Sequence, residues 1–369
     1  MFRIICTAVM SFGLILAPAC SQAQEVSEAH AATLRAALDA AAPGMLETYE
    51  VPSVAVAYIE DGALAWTAVY GQQGPDTPAG PDTLYNIASM TKPLTAETVL
   101  RLVSAGQMRL DDRLAEYWVD PDIAANPWNE LLTAEINLSH RTGLPNWRYQ
   151  TDDVLEFQAE PGTTTGYSGE GYDYLGHYLE NRFETGFAAL VAREVFVPIG
   201  MNETGFVRPD DAANRVAVPM GPDGEWGEPA YSDPWSAADN VYTTIGDYAR
   251  FMIAVMHNEG IDADLARSRL QIRENLMANG CPLPAEHCPQ NIGFGLGWSM
   301  FEYADARIVT HGGADWGERT VGLFDPEAQT GLIIFTNGAN GGAVIHDIAE
   351  LMGVQPDFTA FLAFQASNG

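Results

Sequence analysis

The stretch Val51-Pro-Ser-Val-Ala-Val-Ala-Tyr-Ile-Glu-Asp-Gly-Ala-Leu-Ala-Trp-Thr-Ala-Val-Tyr70 holds two runs of alternating β-branched or aromatic residues, 51–59 and 63–70, on either side of Asp61-Gly62. Period-two alternation turns one face of each run inward, and Asp-Gly supplies the left-handed turn of an antiparallel hairpin. Strand pattern then lapses until Gly297. Four further runs, 298–303, 307–311, 319–324 and 331–336, alternate with turns, and a helical run over 343–352 closes the chain. Between the two ends, residues 107–292 mix short helical stretches with loops rich in Pro, Gly, Asp and Trp. The pattern predicts an α+β fold: an antiparallel sheet built from both chain ends (24–80 and 293–369), flanked by helices, with a mostly helical region (81–292) inserted.

Outside these runs, an Ala-rich amphipathic segment over 25–42 reads as a helix that Pro43-Gly44 ends. A second helix is expected over 89–104, where Leu94, Val99, Leu102 and Val103 follow helical spacing and Gly106 marks the stop. The 369 residues are 47% hydrophobic, with Gly and Pro dispersed, which excludes a disordered chain, a collagen repeat and a coiled coil. Acidic residues number 49 against 18 basic ones, for a net charge of -31. A phosphate backbone would be repelled, so nucleic acid is excluded as a partner.

The N-terminus reads as a secretory signal peptide over residues 1–23. Arg3 precedes an apolar stretch too short to span a bilayer, and small residues ending in Ala23 follow. A periplasmic or secreted location is expected, and a membrane link only if Cys20 is instead lipidated. Export would leave Cys281 and Cys288, which close a Pro-rich loop as a disulfide worth about 2.5 kcal/mol by chain entropy. A metal site made of Cys281, His287 and Cys288 is the weaker reading, since no fourth ligand lies nearby.

Only one lysine occurs in the chain, Lys92, and it lies three residues after Ser89. On a helical turn that spacing puts both side chains on one face, with Cβ atoms about 5–6 Å apart. A hydroxyl is a weak nucleophile and needs a base, and lysine serves only when it is uncharged. The start of the helix also offers the Ser89 backbone N–H to an oxyanion. Ser-x-x-Lys alone is a weak pattern, because serine caps helices and lysine decorates them. It gains weight from Tyr167, set between Gly-rich turns and able to exchange a proton with the lysine, and from His311-Gly312-Gly313, where a substrate backbone can approach a strand closely.

Together the segments Ser89-Met-Thr-Lys92, Leu138-Ser-His-Arg-Thr-Gly-Leu-Pro145, Pro161-Gly162 leading to Tyr167-Ser168, Pro198-Ile-Gly-Met-Asn202, Thr243-Thr244 with Asp247-Tyr-Ala-Arg-Phe251, Gly293-Phe-Gly-Leu-Gly-Trp298 and His311-Gly-Gly313 resemble the β-lactamase-related serine hydrolases in type and order. That family includes class C β-lactamases, penicillin-binding-protein-like D-amino-acid peptidases and esterases, and the resemblance spans residues 45–340. It implies a Ser89 nucleophile, Lys92 as its proton partner and Tyr167 as a shared base or acid. It further implies an oxyanion hole from the N–H groups of Ser89 and Ala314, and His311 in the place of the third motif's cationic residue. No cofactor and no metal are expected.

Two departures bear on substrate. Tyr167-Ser168-Gly169 lacks the asparagine of the family's Tyr-x-Asn, which holds a substrate acylamino group. His311-Gly312-Gly313 replaces Lys-Thr-Gly, and a histidine of ordinary pKa about 6.5 gives a weak, pH-dependent hold on a carboxylate. The expected activity is therefore exported ester or amide hydrolysis through an acyl-enzyme, esterase-like, with a D-amino-acid peptidase or weak β-lactamase as the alternative. A non-catalytic envelope sensor on the same scaffold is the alternative of another class. Ser168 in Gly166-Tyr-Ser-Gly-Glu170 mimics a nucleophile elbow without its preceding strand, and Asp247 with Arg250 reads as a helix-start tie. Oligomeric state is open.

Overall fold

In the computed structural model, which describes residues 17–206, 212 and 214–368, strands from the two chain ends form one antiparallel sheet of eight. β1 (Ser53–Glu60) and β2 (Ala63–Gly74) make the expected hairpin, and β3 (Thr77–Pro78) extends its edge. Asp61 and Gly62 both take positive φ, as the tight turn requires. A two-stranded ribbon, β4 (Tyr85–Asn86) with β5 (Tyr242–Thr243), stands apart. From the C-terminal side come β6 (Asn291–Phe294), β7 (Ser299–Glu302), β8 (Arg307–Ala314), β9 (Arg319–Asp325) and β10 (Thr330–Thr336). The order is β3-β2-β1-β10-β9-β8-β7-β6, so β1 pairs with β10, Val54 opposite Thr336.

Both faces of this sheet are covered. Val54, Val56 and Tyr58 of β1, with Leu332 and Ile334 of β10, pack against α1 (Ala17–Tyr49), α9 (Gly341–Leu351) and α10 (Pro356–Asn368). Ala55, Ala57, Ile59, Ile333 and Phe335 face the larger core, shared with α2 (Thr91–Ser104), α4 (Gly169–Phe183) and α7 (Ile245–Met256). Short helices α3 (Ala134–Leu138), α5 (Phe187–Val191), α6 (Val197–Ile199) and α8 (Ala263–Arg269) complete the inserted region.

Four sequence expectations are corrected. The first helix does not stop at Pro43; it continues to Tyr49. A proline costs one N–H bond and local crowding, and here Ala42 and Leu46 bury against the sheet while the Tyr49 hydroxyl donates to Asp347 (2.7 Å). A strand, β6, begins at Asn291, ahead of the Gly297 region, and α10 follows the helix expected to close the chain. Ser89 lies in a 3-10 turn, Ala88–Met90, just before α2 rather than within it. Of the expected signal peptide, residues 1–16 lie outside the described residues; from Ala17 the backbone is continuous with α1. Among the described residues no helix is long and apolar enough to cross a membrane. Cys281 and Cys288 form a disulfide, and His287 pairs with Asp357 (2.8 Å), so the weaker metal reading of that loop fails.

α2 is held from two sides. Gly297, at φ +87, lies so close that a Cβ there would come within 2.2 Å of the Ala96 side chain. Glu97, 3% exposed, pairs with Arg269, 1% exposed, at 2.8 Å; Arg269 also donates to Val255 O and Asn258 Oδ1. Removing one partner leaves a buried charge without its counterion. Arg269→Met is expected to lose about 3–5 kcal/mol in equilibrium unfolding, and a loss under 1 kcal/mol would mean that this pair does not anchor α2.

Candidate active site

The turn that carries Ser89 is strained in a defined way. Ala88, just before it, adopts φ +46, a left-handed conformation that costs a non-glycine residue about 1–3 kcal/mol. Fixed acceptors and donors hold it there: the Ala88 N–H donates to Asn86 Oδ1 (2.9 Å), the Ile87 N–H to Val241 O (3.0 Å), and Thr320 Oγ1 to Ile87 O (3.0 Å). Gly313 lies beneath; a Cβ on it would fall 2.3 Å from Ile87 O. The missing side chain thus lets β8 run against the turn.

Lys92 is fully buried, while Ser89 keeps partial exposure. The lysine Nζ lies 3.0 Å from Ser89 Oγ and donates to the carbonyl of Ala238 (3.0 Å). With one N–H committed to Ala238, an uncharged amine can turn its lone pair toward the serine hydroxyl. Three aromatic faces enclose it: the ring centroids of Tyr167, Trp147 and Tyr172 lie 4.7, 5.6 and 5.9 Å from Nζ. Tyr167 is itself held by His140, whose ring stacks on it at 4.3 Å and whose Nδ1 accepts from the Ser168 N–H (3.1 Å). The structure therefore brings Ser89, Lys92, Tyr167 and the 311–314 strand end together.

Ser168 takes no part. Its hydroxyl caps α4, accepting from Gly171 N–H and donating to Pro145 O. Asp247 likewise binds the Glu203 N–H, Thr204 and Arg250, away from the serine. Gly169 has a packing reason: a Cβ there would lie 2.6–2.9 Å from three carbons of the Trp147 indole. The space a side chain at 169 would need belongs to Trp147.

His311 differs from expectation. It is 4% exposed, and Nδ1 lies 2.7 Å from Gly312 O, so Nδ1 carries the hydrogen and Nε2 is a bare acceptor, buried and without a partner among the described residues. Burial, and then the nearby Lys92 charge, push its pKa down to about 3. At neutral pH it is uncharged, and the ring presents an acceptor rather than a cation. Sequence reading also missed an acidic wall. Asp239 is pushed up to about 7, first by burial and then, against the Lys92 charge, by Asp315; Glu318, 3% exposed, is pushed up to about 7 by burial and Asp315. The Asn86 amide bridges this group, at 3.2 Å from Asn240 Oδ1 and 3.4 Å from Asp315 Oδ2. No motif announces these acids: Asp239 lies in the loop before β5, and Asp315 and Glu318 share the turn between β8 and β9.

Raised acid pKa values have a signed consequence. Folded Asp239 keeps a proton that the unfolded chain releases from about pH 4 upward, so its contribution to stability declines as pH rises toward its folded value of about 7. Asp239→Asn removes that decline. Its melting temperature relative to the wild type is expected to climb from pH 5 to pH 8 in parallel thermal scans; a constant or shrinking gap would contradict the burial of this carboxyl.

Comparison with known proteins agrees with the geometry. The Beta-lactamase family model matches residues 38–353. The unguisins hydrolase ungD of Aspergillus violaceofuscus is 25% identical over 337 residues, covering 79% of this chain and 59% of that protein. The D-alanyl-D-alanine-carboxypeptidase/endopeptidase AmpH of Escherichia coli is 24% identical over 325 residues, covering 78% of this chain and 82% of its own. This chain thus spans well under two thirds of the fungal hydrolase. Among solved structures, the octameric penicillin-binding protein homologue from Pyrococcus abyssi superposes with a TM-score of 0.71 at 19% identity, over 87% of this chain and 78% of that one. The D-alanine carboxypeptidase AmpC from Burkholderia cenocepacia does so with a TM-score of 0.71 at 21% identity, over 87% and 99%. These two share the fold. With the family model spanning most of its length, the chain belongs to the β-lactamase family, a family of serine hydrolases.

Proposed function

We propose that the protein is an exported esterase-like hydrolase that cleaves its substrate through a Ser89 acyl-enzyme. The observation that carries this reading is the 3.0 Å approach of Lys92 Nζ to Ser89 Oγ inside an aromatic enclosure. Ser89 Oγ attacks the carbonyl carbon as Lys92 takes the hydroxyl proton. The oxyanion is received by the N–H groups of Ser89 and Ala314. Collapse of this intermediate expels the leaving alcohol or amine, which takes its proton from the Lys92–Tyr167 pair, and water then releases the acyl group by the reverse path. The apolar N-terminal run and the disulfide support a periplasmic or secreted location.

Substrate polarity follows from the walls. His311 offers an acceptor rather than a cation, and Asp239, Asp315 and Glu318 gather nearby, so a substrate carboxylate gains no cation from the His311 position and faces acidic side chains. Esters and amides without a free carboxylate fit this site; β-lactams, which carry one, fit poorly. Likeness to AmpH and to the AmpC carboxypeptidase favours a second reading, a peptidase on D-amino-acid bonds. The same walls would then select peptides lacking a free carboxylate beside the scissile bond.

Ser89→Ala and Lys92→Met should each lower kcat on p-nitrophenyl butyrate by at least about 100-fold, with the butyryl adduct seen by intact mass in the wild type and lost from Ser89→Ala. Lys92→Met turnover within tenfold of wild type would dismiss the lysine as the proton acceptor. A stable adduct without turnover would identify a sensor rather than an enzyme. In a matched ester pair, the neutral member should exceed its carboxylate-bearing analogue at least about tenfold in kcat/KM, and His311→Lys should narrow the gap. Equal values for the pair in the wild type would remove the electrostatic reading.

A further inference from the structure

Behind the aromatic enclosure of Lys92 lies a half-open cavity of about 140 Å³ that none of the residues placed in catalysis lines. Its walls are of two kinds. Trp118 and Trp235 stand on either side of His177, at ring-centroid distances of 4.7 and 4.8 Å, and Tyr174 packs edge-on against Trp118 at 4.5 Å. Asp120, Glu170 and Asp173 supply three carboxylates against one guanidinium, Arg148.

These charges are unequally matched. Arg148 donates from Nε and Nη2 to Glu170 Oε2 (3.0 and 2.7 Å) and from Nη2 to Asp120 Oδ2 (3.1 Å), so two of the carboxylates are bound to it. Asp173 is left over. Its Oδ1 accepts from Ser236 Oγ (2.8 Å) and from the Ala237 N–H (2.7 Å), while Oδ2 has no protein partner among the described residues. Burial lowers the pKa of His177, so at neutral pH the ring between the tryptophans adds no positive charge. The cavity is thus lined by two indole rings and one unmatched carboxylate oxygen. A small organic cation satisfies both at once, through cation–π contact with the rings and a charged hydrogen bond to the oxygen.

We propose that this cavity is a binding site for an aliphatic ammonium group. The site touches the catalytic apparatus through short links. Asp173 fixes Ser236 and Ala237, and the next residue, Ala238, provides the carbonyl that holds Lys92 Nζ. Arg148 and Glu170 adjoin Trp147 and Gly169, which pack against one another beside Lys92. An ammonium carried on the acyl side of the substrate and a free amine share this chemistry.

The test is calorimetric titration of Ser89→Ala with butylammonium, with butanol and butyrate as uncharged and anionic controls; it needs no turnover and so stands whether or not the esterase reading does. Saturable binding of butylammonium alone is expected, weakened about tenfold or more by Asp173→Asn, which keeps the two Oδ1 bonds while replacing the free oxygen with an N–H. Trp118→Leu should weaken it as well. On the unmutated chain, the indole N–H resonances of Trp118 and Trp235 should shift with butylammonium and not with butanol. Competitive inhibition of ester turnover by butylammonium would assign the site to a substrate arm, and binding without competition to a separate amine ligand; either supports the site. Absence of saturable binding, equal binding of butanol, or wild-type affinity in folded Asp173→Asn would overturn it.

Discussion

A buried amine held 3.0 Å from an alcohol is the interaction on which this molecule depends. Lys92 is the chain's one lysine, its Nζ is bound to Ala238 O, and its stem is wholly buried in α2. Every large feature of the fold bears on that contact. The Glu97–Arg269 pair and the Ala96–Gly297 approach set where α2 lies, and the β4–β5 ribbon carries the Ala238 segment across the turn. The sheet supplies the floor, because a glycine at 313 lets a strand lie against strained backbone at Ala88. Strain of that kind persists only where the surroundings over-determine it.

The electrostatic character of the site follows from burial more than from composition. A net charge of -31 would lead one to expect ionised carboxylates everywhere, yet Asp239 and Glu318 are pushed up to about 7 because they are desolvated and share a wall with Asp315. The same desolvation strips His311 of its charge. Residues of opposite type, two acids and a base, thus move toward neutrality for one reason: the charged form of each loses its hydration in this pocket.

Much of the architecture was legible because it rests on local periodicity. The hairpin over 51–70, the runs that became β7 to β10 and the helix after Ser89 each announce themselves within a dozen residues. Where reading failed, a tertiary contact outweighed a local signal. Pro43 should end a helix, but apolar burial of Ala42 and Leu46 against the sheet carries α1 to Tyr49. β6 carries Asn291 and Gly293 among its four residues, both poor strand formers, and it holds its place by pairing with β7.

The linear order of residues by itself determined that a serine and a lysine stand three apart, that strands come from both ends, and that one short loop is closed by two cysteines. Spacing of that sort is a property of the backbone's own repeat. Only the tertiary structure decided what surrounds them. Ala238 reaches Lys92 from 146 residues away, Trp147 occupies the room that position 169 would need, and His311 is buried deeply enough to lose its proton. Desolvation and close approach are sums over everything packed nearby, and no window of sequence contains that sum.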